Sequence, residues 1–226
     1  MVRVMSLFAQ YQTLAAPIRD RITSHPFIRG LGDGTLPEER FQYYMRQDYL
    51  FLIEYRRVLA LAAARADDLA VAGRFADLLT LTLNVEMDLH RQFAWKAGIS
   101  PEALEETRPA PTALAYTNHL RVVAETGDLA AIVAAILPCA HGYWEIATAL
   151  RSREGWDRHA LYADWIRMYT SDEYEAMAVW VAELLDRVAE GVSGEREAAL
   201  RDVYLRSQQY EYLFWEMSHR MEEWPV

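Results

Sequence analysis

The stretch FQYYMRQDYLFLIEYRRVLALAAARA, residues 41–66, carries apolar side chains at spacings of three and four, the period of an amphipathic α-helix. Pro37 suits the first turn of such a helix, and the acidic Glu38 and Glu39 suit its positively polarised N-terminal end. The pattern therefore predicts a long helix of about seven turns that begins near Pro37. One face of this helix is aromatic and includes a carboxylate; it contains Phe41, Tyr44, Asp48, Phe51 and Tyr55.

The carboxylate of Asp48 needs a partner in such surroundings, because burying an unpaired charge costs several kcal/mol. Two interpretations stay open. The aromatic face is part of the core and Asp48 is hydrogen-bonded internally, or the face lines a site and a ligand amine satisfies the carboxylate.

Helical periodicity continues on both sides of this stretch, and no strand pattern competes with it. We expect a helix over about residues 7–24 and then a loop over HPFIRGLGDGTLP (residues 25–37), because of its glycines and prolines. A third helix is expected to be capped by Asp67 and to end at Gly98. Further helices are predicted in residues 113–127, 128–152, 158–169, 171–191 and 194–221, with a short helical turn within 99–112. The predicted fold is all-α: a single-domain multi-helix bundle spanning residues 1–226.

The composition of the chain argues against several classes of protein. The net charge of −10 is spread along the chain, which disfavours a nucleic-acid partner. The N-terminus has no apolar signal region, and no run approaches the roughly 20 apolar residues of a membrane span, so we expect a cytoplasmic protein without a membrane partner. Cys139 is the only cysteine, which excludes an internal disulfide and a cysteine-based zinc cage.

Cys139 follows Pro138 in the apolar stretch ILPCAHGYWE, residues 136–145. A proline inside a helix costs about 3 kcal/mol unless it kinks the helix or starts a new one. If a helix begins at Pro138, Cys139 lies in its first turn, where the helix dipole favours a thiolate. The alternative is that Cys139 is a small buried apolar residue without chemistry.

Glu211 is a second carboxylate among aromatic and small polar residues. The helical face that contains it carries Tyr204, Ser207, Gln208, Glu211, Trp215 and Ser218. Asp48 and Glu211 are therefore candidate acidic groups on two different helices.

Other motifs have simpler interpretations. Glu216 and His219 form an E-x-x-H pair, but a di-iron bundle needs two such pairs and two more glutamates, and Glu86 with His90 has a different spacing. The sequence GLGDG lacks the Gly-Lys-Ser/Thr ending of a phosphate loop and is interpreted as a turn. His25 as a haem ligand is kept only as a minor alternative.

Six segments, in this order, resemble the motifs of the TenA (thiaminase II) family: HPFIRGLGDGTLP (25–37), YYMRQDYLF (43–51), LHRQFA (89–94), PTALAYTNHL (111–120), ILPCAHGYWE (136–145) and QYEYLFWEMSHR (209–220). They span nearly the whole chain. The resemblance implies a helical heme-oxygenase-like fold without haem, a homotetramer, and hydrolysis of aminopyrimidines, including thiamin or aminomethylpyrimidine, to hydroxymethylpyrimidine. It implies no metal and no organic cofactor.

The resemblance also implies roles for individual residues. Cys139 is the implied nucleophile, Glu211 its acid/base partner, and Asp48 the carboxylate that holds the amino group and ring nitrogen of the pyrimidine. The implied substrate-binding aromatic residues are Tyr44, Phe51, Tyr116, Tyr143 and Tyr169. Of these, Tyr116, Tyr143 and Tyr169 match pocket tyrosines that pack on the substrate ring or hydrogen-bond to the catalytic pair. Phe51 departs from the family pattern, which has tyrosine at this position, so one hydroxyl of the site is missing and we expect another group or a water to replace it.

Two alternatives come from other functional classes. One is a cofactorless oxidase of the same fold, which would need a basic pocket for a polycarboxylate substrate. The other is a non-enzymatic regulatory or ligand-binding protein. The acidic chain argues against the first, and the lack of a helix-turn-helix pattern argues against direct action on DNA.

Overall fold

The structure, a computed structural model, describes residues 5–226, except for the side chains of residues 85, 86 and 88–90. The helices are α1 (Leu7–Thr23), α2 (Pro26–Asp33), α3 (Glu38–Arg65), α4 (Leu69–Leu81), α5 (Met87–Lys96), α6 (Pro101–Glu105), α7 (Pro111–Thr126), α8 (Leu129–Arg151), α9 (Ala160–Tyr169), α10 (Asp172–Val188) and α11 (Gly194–Arg220). No strand occurs between residues 5 and 226. The predicted all-α class is therefore confirmed.

Helix α8 is the core helix of the bundle. Its first half is rich in alanine, and residues 132–137 are fully buried. Small side chains let neighbouring helices approach closely, and α7, α9, α10 and α11 all pack against it. By length and composition alone α8 could also cross a membrane, which corrects the expectation that no stretch comes near this threshold, but 67% of its most apolar window is buried inside the protein. This is what the core helix of a helical bundle is expected to show.

Pro138 lies inside α8 and does not begin a helix. The hypothesis that Cys139 sits in the first turn of a helix is therefore wrong: the helix continues for almost three turns before it, counted from Leu129. Proline has no backbone N–H to donate, so the carbonyl one turn earlier lacks its usual partner within the helix. Any activation of the thiol must come from its surroundings rather than from a helix end.

Two other boundaries differ from the predictions. Residues 26–33 form helix α2, not a loop, because their glycines serve close packing: a Cβ on Gly30 would lie 3.0 Å from the backbone of Leu36. Only Gly34, which ends this helix at φ 78°, needs the left-handed conformation. The cap of α4 is Asp68, one residue later than predicted, and its carboxylate accepts from the N–H groups of Ala70 and Val71.

The predicted third helix is also not regular throughout. Residues Thr82–Glu86 form a π-helical turn between α4 and α5. Such a turn inserts extra backbone into the helix and rotates the side chains that follow, and it is often found beside functional sites. Thr82, its first residue, is buried and faces the cavity described below.

Asp128 caps the core helix, because its Oδ1 accepts from the N–H of Ala131 at 2.9 Å, and it also pairs with Arg196 of α11. Asp128→Ala removes this cap and is expected to lower the free energy of unfolding by about 1 kcal/mol in chemical denaturation. Asp128→Asn keeps a hydrogen-bond acceptor for the helix cap, so its free energy of unfolding should fall clearly less. Equal losses for both variants would show that the ion pair with Arg196, and not the cap, stabilises this end of α8.

Candidate active site

A cavity of about 350 Å³ opens between α3, α4, α8, α9 and α10. This size is within the range of small-molecule sites. Its walls are mostly aromatic and aliphatic, with a few polar groups. The lining residues are Asp48, Phe51, Leu52, Tyr55, Leu59, Leu78, Leu81, Thr82, Cys139, Ala140, Tyr143, Met168, Tyr169, Ser171, Glu173, Tyr174 and Met177.

The two ends of the cavity differ in exposure. Asp48, Phe51, Tyr143 and Tyr169 are each at most 4% exposed and form what we call the deep end. Leu81 is 53% exposed and, with the exposed Glu173, marks the outer end. Cys139 is half-buried on the cavity wall. The thiol and the Asp48 carboxylate therefore share one cavity, and a ligand that enters it can contact both.

The Asp48 carboxylate is held by a chain of hydrogen bonds from the core. The hydroxyl of Tyr44, one turn earlier on α3, donates to Asp48 Oδ2 at 3.1 Å, and Trp165 Nε1 of α9 donates to that hydroxyl at 3.2 Å. Burial first, and then the negative charge of Asp48, raise the pKa of Tyr44 well above its ordinary value, so this phenol stays protonated. Tyr44 is fully buried and does not line the cavity; it orients Asp48 from behind.

Glu211 does not line this cavity and lies instead beside a second, smaller pocket, together with Pro138 and Gln208. It is 4% exposed on α11, and its Oε1 accepts from the Tyr116 hydroxyl at 2.5 Å. Burial raises the pKa of Glu211 from 4.5 to about 8, the Tyr116 hydrogen bond opposes this rise, and the charge of Asp48 adds to it. Near neutral pH the carboxyl therefore keeps its proton and can act as an acid.

Tyr116 connects Glu211 with the wall that contains the thiol. Burial, the charge of Glu211 and the charge of Cys139, in that order, raise the pKa of Tyr116 well above its ordinary value. Its ring lies 5.1 Å from that of Phe51. Tyr116 thus stands beside the carboxyl, the thiol and the cavity wall, although it does not itself line the cavity.

Phe51 lines the cavity at its deep end, as its place on the α3 face predicts. Tyr55, one turn later, stacks on it with a centroid distance of 5.5 Å and also lines the cavity.

The remaining deep wall is a cluster of rings contributed by three helices. Tyr143 packs on Tyr169 at 4.8 Å and on Trp215 at 5.3 Å, and Trp165 packs on Tyr169 at 4.6 Å. Sequence patterns did not single out Trp165, because its partners other than Tyr169, such as Tyr44 and Trp215, lie far away in the chain. The Nε1 of Trp215 has no hydrogen-bond partner within the described part of the chain.

The outer wall was also not predicted. Ser171, Glu173, Tyr174 and Met177 come from the start of α10, and Leu78, Leu81 and Thr82 from the junction of α4 with the π-helical turn. Their sequence signal is weak, since each looks like an ordinary helix position.

The histidine and glutamate motifs lie elsewhere. Among the described side chains, no three of His, Cys, Asp and Glu are grouped as a metal site would require. Glu216 accepts from His25 Nε2 at 2.9 Å and pairs with Arg220, while Arg40 contacts the ring of His219. Glu86 and His90 fall outside the described side chains.

The fold is that of the heme-oxygenase-like helical bundles. A Shewanella denitrificans domain with a heme oxygenase-like fold superposes with a TM-score of 0.74 at 15% identity, covering 97% of this chain and 94% of that domain. The TenA homologue from P. horikoshii OT3 superposes with a TM-score of 0.89 at 26% identity, covering 96% and 99% of the two chains.

Sequence comparison identifies the family. The family model described as TENA/THI-4/PQQC matches residues 13–221. A protein of Halalkalibacterium halodurans named aminopyrimidine aminohydrolase is 42% identical over 97% of this chain and 98% of its own length. The chain belongs to the TENA/THI-4/PQQC family.

The raised pKa of Glu211 predicts a specific pH dependence of stability. Between pH 4.5 and about 8 the carboxyl is protonated in the folded protein and ionised in the unfolded chain, so its contribution to stability declines as pH rises through this interval. In urea unfolding at several pH values, the free energy of unfolding of Glu211→Gln should therefore rise relative to that of the wild type from about pH 5 to 8. Above pH 8 the difference between the two should stay constant. Glu195→Gln, an exposed acid on the same helix, is the control and should run parallel to the wild type. If Glu211→Gln also runs parallel, the carboxyl is ionised in the folded protein at neutral pH.

Proposed function

We propose that this protein is an aminopyrimidine aminohydrolase of the thiaminase II type, a hydrolase that releases hydroxymethylpyrimidine from thiamin or aminomethylpyrimidine. The relative of known name at 42% identity supports this class of activity. The observation that carries the proposal is the shared cavity of Asp48 and Cys139. The protonated Glu211 lies behind its wall, hydrogen-bonded to Tyr116, whose ring packs on Phe51.

The deep end suits an aminopyrimidine ring. The Asp48 carboxylate can accept from the exocyclic amino group and from a protonated ring nitrogen, and Tyr44 keeps it oriented. Phe51, Tyr143 and Tyr169 offer ring faces for stacking. Because these side chains are buried and packed on one another, the pocket is preorganised before the ligand arrives.

In the proposed reaction, the Cys139 thiol releases its proton to water and the thiolate adds to an electron-poor ring carbon. Glu211 supplies the proton that the ring nitrogen takes up as electrons move into the ring. The bond from the exocyclic methylene to its positively charged nitrogen substituent then breaks, and the substituent leaves with the bonding electrons, as neutral thiazole from thiamin or as ammonia from protonated aminomethylpyrimidine. Water adds to the methylene and gives up a proton to the Glu211 carboxylate. The thiolate then departs as the aromatic ring is restored, and the ring nitrogen gives its proton back, so that the thiol is regenerated.

The charge of the cavity disfavours the oxidase alternative. Asp48 and Glu173 are the charged side chains among the described residues that line it, and both are acidic. A polycarboxylate substrate would meet repulsion there rather than basic partners. The single domain, the homotetramer and the cytoplasmic location stay predictions.

The direct test is incubation of the purified protein with thiamin and with aminomethylpyrimidine, followed by mass spectrometry. Hydroxymethylpyrimidine should form from at least one of them, with the matching release of thiazole or ammonia. Absence of product from both, at enzyme concentrations that saturate binding, would overturn the proposal.

Cys139→Ser tests the covalent step. An alcohol is a far weaker nucleophile than a thiolate at neutral pH, so turnover should fall by about a hundredfold or more. Because Ser is no larger than Cys, the melting temperature and the affinity for hydroxymethylpyrimidine should be nearly unchanged. Near-normal turnover in this variant would contradict nucleophilic catalysis by the thiol.

Phe51→Tyr tests the departure from the family pattern. The new hydroxyl would sit at the deep end near Tyr116, so turnover should change by more than about threefold while the free energy of unfolding moves by less than about 1 kcal/mol. Phe41→Tyr is the matched control, since Phe41 is buried on the same helix but outside the cavity. It should lower stability without a specific kinetic effect. If Phe51→Tyr behaves like this control, Phe51 is only a core residue.

A further inference from the structure

The cavity extends beyond the place where the pyrimidine ring would bind. A ring held at Asp48 and packed on Tyr143 and Tyr169 occupies the deep end and leaves the outer end for its substituent. The walls there are largely apolar, with Leu78, Leu81 and Met177, and they also carry the hydroxyl groups of Thr82, Ser171 and Tyr174. Methionine side chains are flexible and fill irregular shapes, so this end can adapt to substituents of different size.

Glu173 gives the outer end its charge. It is exposed and lies among the cavity-lining residues, and no Lys or Arg joins it there among the side chains that the structure describes. A charge placed at the rim of a low-dielectric cleft attracts ions of opposite sign and repels those of like sign. The outer end therefore favours a positively charged group over an anionic one.

Glu173 also lies where an acidic residue stabilises a helix whether or not a ligand binds. Acidic residues stabilise the first turn of a helix, and Asp172, Glu173 and Glu175 all occupy that turn. Of the three, only Glu173 lines the cavity. Asp172 and Glu175 are also exposed and thus serve as controls for the helix-end effect.

We propose that the outer end is a leaving-group subsite for an apolar, positively charged group, and that Glu173 is the residue that selects this charge over a phosphorylated group. The proposal rests on the proposed hydrolysis, in which the substituent on the ring methylene departs. A thiazolium ring or an alkylammonium group meets both requirements of the subsite. A phosphate ester on the same substituent would place its negative charge against Glu173.

The test compares thiamin, thiamin monophosphate and hydroxymethylpyrimidine as ligands of the wild type, Glu173→Gln, Asp172→Asn and Glu175→Gln. For Glu173→Gln, KM and Kd for thiamin should rise about two- to fivefold at low salt, the range for an exposed charge interaction, and the effect should shrink at 0.5 M salt. The turnover number should stay within about twofold. Inhibition by hydroxymethylpyrimidine, which fills only the deep end, should not change.

Charge reversal gives the sharper result. Glu173→Lys should weaken the binding of thiamin further and strengthen the binding of thiamin monophosphate. The ratio of their kcat/KM values should therefore shift by about tenfold. Asp172→Asn and Glu175→Gln should behave like the wild type with every ligand.

Two results would overturn the proposal: equal effects of Glu173→Gln and Glu175→Gln, or an equal loss of affinity for hydroxymethylpyrimidine and thiamin. If no variant and no wild type hydrolyses thiamin, the proposed function fails, and the calorimetric Kd values for thiamin and its monophosphate still decide whether Glu173 selects charge.

Discussion

The burial of two carboxylates, Asp48 and Glu211, inside an aromatic helical bundle is the constraint on which the site depends. Each loses its hydration by water, and each accepts a hydrogen bond from a phenol instead: Asp48 from Tyr44, and Glu211 from Tyr116. Burial, with a smaller contribution from the charge of Asp48, raises the pKa of Glu211 to about 8, so this carboxyl carries a proton near neutral pH.

The two acids need rigid neighbours. The phenols can satisfy them only if their rings are fixed, and packing between helices fixes both rings. Tyr44 of α3 stacks on Trp215 of α11, and Tyr116 of α7 stacks on Tyr210 of α11. Alanines of α8 allow that close approach. At the outer end the wall combines leucine and methionine with the polar side chains of Thr82, Ser171 and Glu173. The flexible side chains there constrain the shape of the cavity less than the packed rings of the deep end do.

Helical periodicity predicted most of the elements, and it placed Asp48 and Phe51 on the face that lines the cavity, because positions three and four apart share a helix face whatever the tertiary fold. It failed where the backbone conformation depends on contacts between distant residues. The glycines of α2 are needed because Leu36 and Leu150 lie too close for a larger side chain, and no residue pattern marks the π-helical turn. Tyr44 was expected at the ligand and lies behind the wall instead. Tyr116 also lies behind the wall, where it makes a hydrogen bond to Glu211, one of the two contacts that the family resemblance implied for it. Glu173 has no sequence signal of its own, since acids are common in first helical turns.

The tryptophans behind the deep wall provide an intrinsic fluorescence signal for the cavity. Of seven tryptophans, Trp165 and Trp215 are buried against the cavity tyrosines, whereas Trp95 and Trp224 are 71% and 52% exposed. Indole emission responds to the polarity and to the ring contacts of its surroundings. Since Trp165 is hydrogen-bonded to the phenol that orients Asp48, a ligand that settles on this carboxylate perturbs an indole two hydrogen bonds away. Occupancy of the deep end can thus be followed by intrinsic fluorescence, without a label and without turnover.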